Sequence, residues 1–279
     1  MAHSNIGVSN QVQKEKSFSY HRLLSKIREK NFASVPFTMT RKELENAASS
    51  FLAFLKLPQE TKEQFRFTVD KKRRGAHVGY SRKVQEKGAL DNKEYFHYNL
   101  YTEAFTNLPE RQNPVVETFF KNAHAVYENG ARAIGKIMEA FETAFPGIHG
   151  KFFPNNATPN FYLRFLKYDV VGRGNFLAKA HYDRGGCTLA LAESAPGLRI
   201  GKNQETLREV EHKENSALFM PAWNLRKVTS DEFGPAWHDV VQRSGDTLNA
   251  ETARWAIVFF ADPMGMDEIS VEETHTPIY

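Results

Sequence analysis

The chain has 279 residues, 41% hydrophobic and 25% charged, which is long enough to bury a core without disulfides and excludes collagen-like, low-complexity and disordered classes. Its 37 Lys and Arg against 33 Asp and Glu leave a formal charge of +4, a mild excess that fits solubility and does not call for a nucleic-acid partner. The single cysteine, Cys187, excludes an internal disulfide and any zinc site built from cysteine pairs, and with no apolar run near the ~18 residues of a membrane span we expect a cytoplasmic protein without a membrane partner.

Residues 1–16 are polar and aperiodic and read as a flexible arm, with 17–279 expected to form a single domain. Within it, 17–150 is expected to be mostly helical cover and lid loops, 151–263 a β-core and 264–279 a tail. Thr40-Arg41-Lys42-Glu43 has capping-box spacing and leads into Leu44, Ala47, Ala48, Phe51, Leu52 and Leu55 at helical intervals, which predicts a helix ended by Pro58. From Lys71 to Asn107 no period holds, so this stretch reads as long loops and short strands lying over a site. Its run Lys71-Lys72-Arg73-Arg74 is a solvated loop, or an electrostatic guide for an anionic small molecule or a phosphate backbone. A second helix is predicted after Asn113-Pro114, with Val116, Phe119, Phe120, Ala123, Val126, Tyr127, Ile134, Met138 and Phe141 on one stripe. From about Asn160 the pattern changes to short strand-like runs separated by Gly, Pro and Asn: 161–168, 176–183, 188–192, 198–200, 217–220, 237–241 and 255–260. That texture favours a sandwich or barrel over a parallel sheet.

His181 and Asp183 lie two residues apart at the end of a predicted strand, where alternate side chains share a face and can converge on one ion. His238, also at a strand-like segment, supplies a third ligand once the intervening strands return beside the first pair. Two imidazoles and a carboxylate on one face of a metal leave positions open, the arrangement of non-haem iron(II) oxygenases. Arg254 opens an otherwise apolar strand, where a guanidinium is either an edge residue or a clamp for a carboxylate. His212, in a charged turn, and His275, in a polar tail, read as solvated.

The order of His181-x-Asp183, His238 and Arg254, with Leu163-Arg164-Phe165-Leu166-Lys167-Tyr168 before them and Gly197-Leu198-Arg199-Ile200 between, resembles the iron(II)/2-oxoglutarate-dependent dioxygenases of the isopenicillin N synthase-like family. Phe54 to Lys62, Gly79-Tyr80 and Asp91 to Phe96 resemble its upstream landmarks. The resemblance implies an α+β, mainly β fold: a double-stranded β-helix (jelly-roll) core with flanking helices from the N-terminal half. It implies that His181, Asp183 and His238 bind Fe(II), while Arg254 and Tyr168 hold the far carboxylate of the cosubstrate 2-oxoglutarate, with O2 as oxidant. Three departures stand out. Ala256 occupies the cosubstrate-contacting position where the family usually has Ser or Thr, Leu166 replaces a frequent asparagine, and the sixteen residues from His238 to Arg254 suggest an inserted turn at Ser244-Gly245-Asp246.

The resemblance therefore implies an enzyme that hydroxylates or desaturates a small, carboxylate-bearing molecule with release of succinate and CO2, acting as a monomer or homodimer. The alternatives are an oxidase of the same group that does not use 2-oxoglutarate, and a non-catalytic metal-binding sensor. Arg184, Lys179, Arg74, Tyr80, Phe96 and Trp223 are expected to contact substrate, with His97, Tyr98 and Phe219 as further candidates.

Overall fold

The computed structural model describes residues 21–66, 78–84, 91–105, 107–171, 175–243, 247–266, 271–276 and 278. The N-terminal arm, the Lys71–Arg74 run and the 244–246 turn lie outside them. In chain order the elements are α1 (His21–Lys30), β1 (Ala33–Pro36), α2 (Arg41–Leu55), α3 (Gln59–Gln64), β2 (Gly79–Lys83), β3 (Lys93–Tyr98), α4 (Pro114–Glu142) and α5 (Ile148–Phe152). There follow β4 (Asn160–Asp169), β5 (Phe176–His181), β6 (Cys187–Glu193), β7 (Leu198–Gly201), β8 (Arg208–Glu209), β9 (Ser216–Pro221), α6 (Trp223–Val228), β10 (Trp237–Val241), β11 (Thr252–Asp262) and α7 (Val271–His275).

Both expected helices form where the sequence signals them. Thr40 caps α2 through a full capping box: the Glu43 amide donates to Thr40 Oγ1 at 3.3 Å and the Thr40 amide donates to Glu43 Oε2 at 2.7 Å. Asn113 caps α4 by accepting from the Val115 amide, and Pro114 sits in the first turn, where its missing N–H costs nothing. The seven β-runs expected after Asn160 all form strands. The region between Lys71 and Asn107 is more regular than expected, since β2 and β3 pair with each other and β3 pairs with β4, extending the main sheet by two strands.

Among the described residues every strand pair is antiparallel. One sheet has seven strands in the order β1-β9-β6-β11-β4-β3-β2, and the other has four in the order β5-β10-β7-β8. Helices α2 and α4 cover one face of the large sheet. There Phe119 of α4 packs its ring 5.0–5.6 Å from those of Phe51, Phe54, Phe96 and Phe165. Gly130 of α4 is required by that contact, because a Cβ there would lie 2.4 Å from the Phe259 ring of β11. The opposite face of the large sheet and the small sheet together line a cavity of about 740 Å³. No helix among the described residues is long and apolar enough to cross a membrane.

Candidate metal centre

The small sheet places the two imidazoles side by side. His181 ends β5 and His238 lies on β10 directly opposite it in register, with ring centroids 4.4 Å apart. Asp183 follows two residues after His181, and one nitrogen or oxygen from each of the three side chains falls within 4.8 Å of the others. His181 Nε2 and His238 Nε2 each stand 3.7 Å from an oxygen of Asp183, too far for a hydrogen bond and open enough for a shared ion.

The surroundings set the chemistry of each ligand. His181 Nδ1 donates to the Lys179 carbonyl at 2.7 Å and His238 Nδ1 donates to the Ala236 carbonyl at 3.0 Å. A carbonyl only accepts, so both protons sit on Nδ1 and both Nε2 lone pairs face the site, the tautomer a metal needs. Burial pushes His238 down toward the neutral imidazole. For Asp183 burial works toward protonation, but the facing His238 and His181 and the hydrogen bond from Thr188 Oγ1 at 2.6 Å outweigh it and hold the carboxyl well below the usual range. Behind the ligands, the Trp223 amide donates to the Asp183 carbonyl at 2.9 Å and the Asn224 amide to the Gly185 carbonyl at 2.7 Å, fixing the loop that carries the carboxylate. A donor set of two imidazole nitrogens and one carboxylate oxygen fits Fe(II).

Arg254 lines the same cavity from β11, opposite Tyr168 of β4 in register, and is 3% exposed. Its Nε and Nη1 are buried without a hydrogen-bond partner, while Nη2 lies 3.6 Å from Glu193 Oε2. Buried donors left without partners are costly unless a ligand fills them, and a guanidinium is suited to a carboxylate. Gly197, at φ +128°, keeps that end open: a Cβ there would meet the Val241 carbonyl at 2.2 Å and reach 3.5 Å from Arg254 Nη1. The donor set and these orphaned nitrogens thus fit Fe(II) and the far carboxylate of a keto acid. Ala256 sits two residues on, buried, with Glu193 as its register partner on β6. The position that lacks a hydroxyl thus neighbours Glu193, whose carboxylate lies 3.6 Å from Arg254 Nη2.

Substrate-contact expectations divide. Lys179 and Arg184 are exposed and line the cavity, and His97 lines it as well. Tyr80 and Phe96 do not. They point to the helix side of the large sheet, Phe96 into the Phe54–Phe119–Phe120 cluster and Tyr80 onto Phe54, with its hydroxyl donating to Glu94 at 2.7 Å. Tyr98 and Phe219 share that side, against Phe120 and Phe141. Trp223 packs on Tyr182 outside the cavity and acts through its backbone amide instead. Arg74 lies outside the described residues.

Two histidines expected in solvent are packed against the site. His212 Nδ1 lies 2.7 Å from Glu193 Oε1 and its Nε2 2.7 Å from the Ala190 carbonyl, so it braces the carboxylate beside Arg254. His275 stacks on His181, centroids 5.7 Å apart and planes at 18°, with the Tyr182 amide bonded to the Thr274 carbonyl. Thr188, Glu193 and Arg164 also line the cavity. An acid ending the apolar run Leu189–Ala192 is the signal for Glu193, of the same kind that marks Arg254.

No family model matches the chain and no curated protein matches its sequence. Solved structures do. A full-length Neurospora crassa protein in complex with alpha-KG superposes at TM-score 0.69 and 18% identity, over 89% of this chain and 80% of that one. A 2OG-Fe(II) oxygenase family protein from Caulobacter crescentus gives 0.68 at 21%, over 93% and 90%. Arabidopsis thaliana dioxygenase for auxin oxidation 1, in its complex with 2-oxoglutarate, gives 0.66 at 17%, over 95% and 96%. The chain shares their fold along nearly its whole length.

Proposed function

We propose that the chain is a non-haem Fe(II)- and 2-oxoglutarate-dependent oxygenase that hydroxylates or desaturates a C–H bond of a small molecule, on a double-stranded β-helix core. One observation carries this reading: His181, Asp183 and His238 converge on a cavity whose wall also holds Arg254 with two orphaned donors. Folds alone do not assign activity, but this pairing is the one the reaction requires.

When bound, Fe(II) and 2-oxoglutarate supply oxygen activation coupled to decarboxylation of the keto acid to succinate and CO2. His181 and His238 would hold the metal through Nε2, each locked in orientation by its Nδ1–carbonyl bond, and Thr188 keeps Asp183 turned toward them. Arg254 would bind the far carboxylate of the keto acid through its buried guanidinium. Tyr168, buried and kept protonated by that burial, stands beside it. Leu166, Leu198, Met220, Val240 and Val258 form an apolar wall that limits water at the reacting centre.

The test is stoichiometric. The purified chain with Fe(II), ascorbate and 2-oxoglutarate should form succinate in air, and Arg254→Met should weaken 2-oxoglutarate binding by about a hundredfold while the protein stays folded. Oxygen uptake without succinate would assign the oxidase reading instead, and neither product nor uptake would leave a metal-binding protein without catalysis.

A further inference from the structure

A second guanidinium faces the cavity, and the metal-centre reading gives it no role. Arg164 of β4 is half-buried, and its Nε donates to His97 Nε2 at 2.7 Å. Its two terminal nitrogens have no hydrogen-bond or ion-pair partner among the described residues. Rings surround it: Cζ lies 4.8 Å from the Phe260 centroid, 5.4 Å from Tyr95 and 5.9 Å from Tyr162. Tyr162 and Phe260 themselves stack at 4.6 Å and 17°. An arginine packed among three rings and hydrogen-bonded to a histidine is preorganised, so little side-chain freedom is lost when it binds.

Charge points the same way. The cavity's acids are mostly engaged: Asp91 bridges Lys83 and Lys93, Asp262 accepts from Asn224 at 2.9 Å, Glu193 pairs with His212, and Asp183 belongs to the metal centre. Arg164, Lys179 and Arg184 have no ion-pair partner among the described residues, and the charged groups lining the cavity are in positive excess.

Position relates Arg164 to the reaction. In register it faces Val258, four residues along β11 from Arg254, or about 13 Å at strand rise. Phe260, on which it stacks, pairs with Thr188, whose hydroxyl holds Asp183. A ligand anchored at Arg164 and lying across Phe260 therefore extends toward the metal ligands without occupying Arg254.

We propose that the substrate of this site is a planar, conjugated organic acid, its carboxylate held by the terminal nitrogens of Arg164 and its ring continuing the Tyr162–Phe260 stack. This rests on the oxygenase reading for its chemistry, but the anion site itself can be tested apart from it.

The experiment is a calorimetric titration of the full chain, Zn(II)-loaded and saturated with 2-oxoglutarate, using 2-naphthoate, its neutral isostere 2-naphthamide, and octanoate, which has the charge without the ring. Wild type should bind 2-naphthoate at least tenfold more tightly than either control. Arg164→Gln should remove that preference over the amide while 2-oxoglutarate binding stays within twofold, which also shows that the variant is folded. His97→Gln, which frees the guanidinium from its brace, should lower 2-naphthoate affinity by several-fold. Arg254→Gln should do the reverse of Arg164→Gln, losing 2-oxoglutarate and keeping 2-naphthoate. Unchanged 2-naphthoate binding in Arg164→Gln, its loss only in Arg254→Gln, or octanoate binding as tight as 2-naphthoate would each overturn the proposal. If 2-oxoglutarate fails to bind wild type while 2-naphthoate still depends on Arg164, the acid site stands and the oxygenase reading falls.

Discussion

The two faces of the large sheet are made from the same strands and do opposite things. On β4, Phe161, Leu163 and Phe165 point to the helices, while Tyr162, Arg164, Leu166 and Tyr168 line the cavity; on β3, Phe96 and Tyr98 face the helices and Tyr95 and His97 the cavity. The helix side is a dry cluster of phenylalanines stapled by α2 and α4. The cavity side carries unneutralised guanidinium groups that the dry side could not tolerate. The contrast teaches that stability is concentrated on one face, so that costly, ligand-ready groups can be held on the other.

The sharpest break between the faces is at the metal ligands. Asp183→Ala should abolish binding of Fe(II) or Zn(II), measured as metal content after desalting, while thermal unfolding of the metal-free protein changes little. Full occupancy in that variant would put the metal elsewhere. On the dry face the expectation inverts. Phe165→Ala removes a ring packed against Phe51 and Phe119 and should cost about 3–5 kcal/mol in denaturant unfolding, with metal affinity retained at temperatures where the variant is folded. Gly130→Ala should cost about 1–3 kcal/mol, because the added methyl meets the Phe259 ring; a stabilised variant would mean that α4 does not approach β11 this closely.

The same two faces explain what can be read from the sequence. The metal centre is legible because its ligands need only local alternation, His181 and Asp183 across one residue, plus a third histidine on a strand. Arg254 is legible as a charge in an apolar run, and α2 and α4 by their caps. Parity on β3 is not. Residues 93–98 carry aromatic or polar groups on both faces, so no alternation in hydrophobicity shows that Phe96 turns inward to the helices and His97 to the cavity. A one-residue difference in parity therefore puts Phe96 among the substrate candidates. His212 and His275 escape for another reason. Their sequence neighbours are charged or polar, but tertiary contacts with Glu193 and His181 draw them in, and nothing local encodes a contact of that range.

A pH-dependent effect lies at the cavity rim, where the two faces' priorities meet in one lysine. Lys93 starts β3, its ammonium 2.5 Å from Asp91 and 5.7 Å from the Tyr168 ring centroid, with Arg164 and Lys83 also near enough to repel it. Burial is the largest influence, and although Asp91 opposes it the ammonium is brought from 10.5 down to about 8. The unfolded chain therefore binds a proton that the folded chain releases between pH 8 and 10.5, so this group's contribution to stability rises with pH across that window, and below pH 8 its full penalty is present. Lys93→Met removes the penalty. The variant should gain in Tm over wild type below pH 8, and the gap should close as pH rises toward 10.5. Parallel Tm curves over that range would show that Asp91 compensates the buried charge completely, and that the rim, like the dry face, is built for stability.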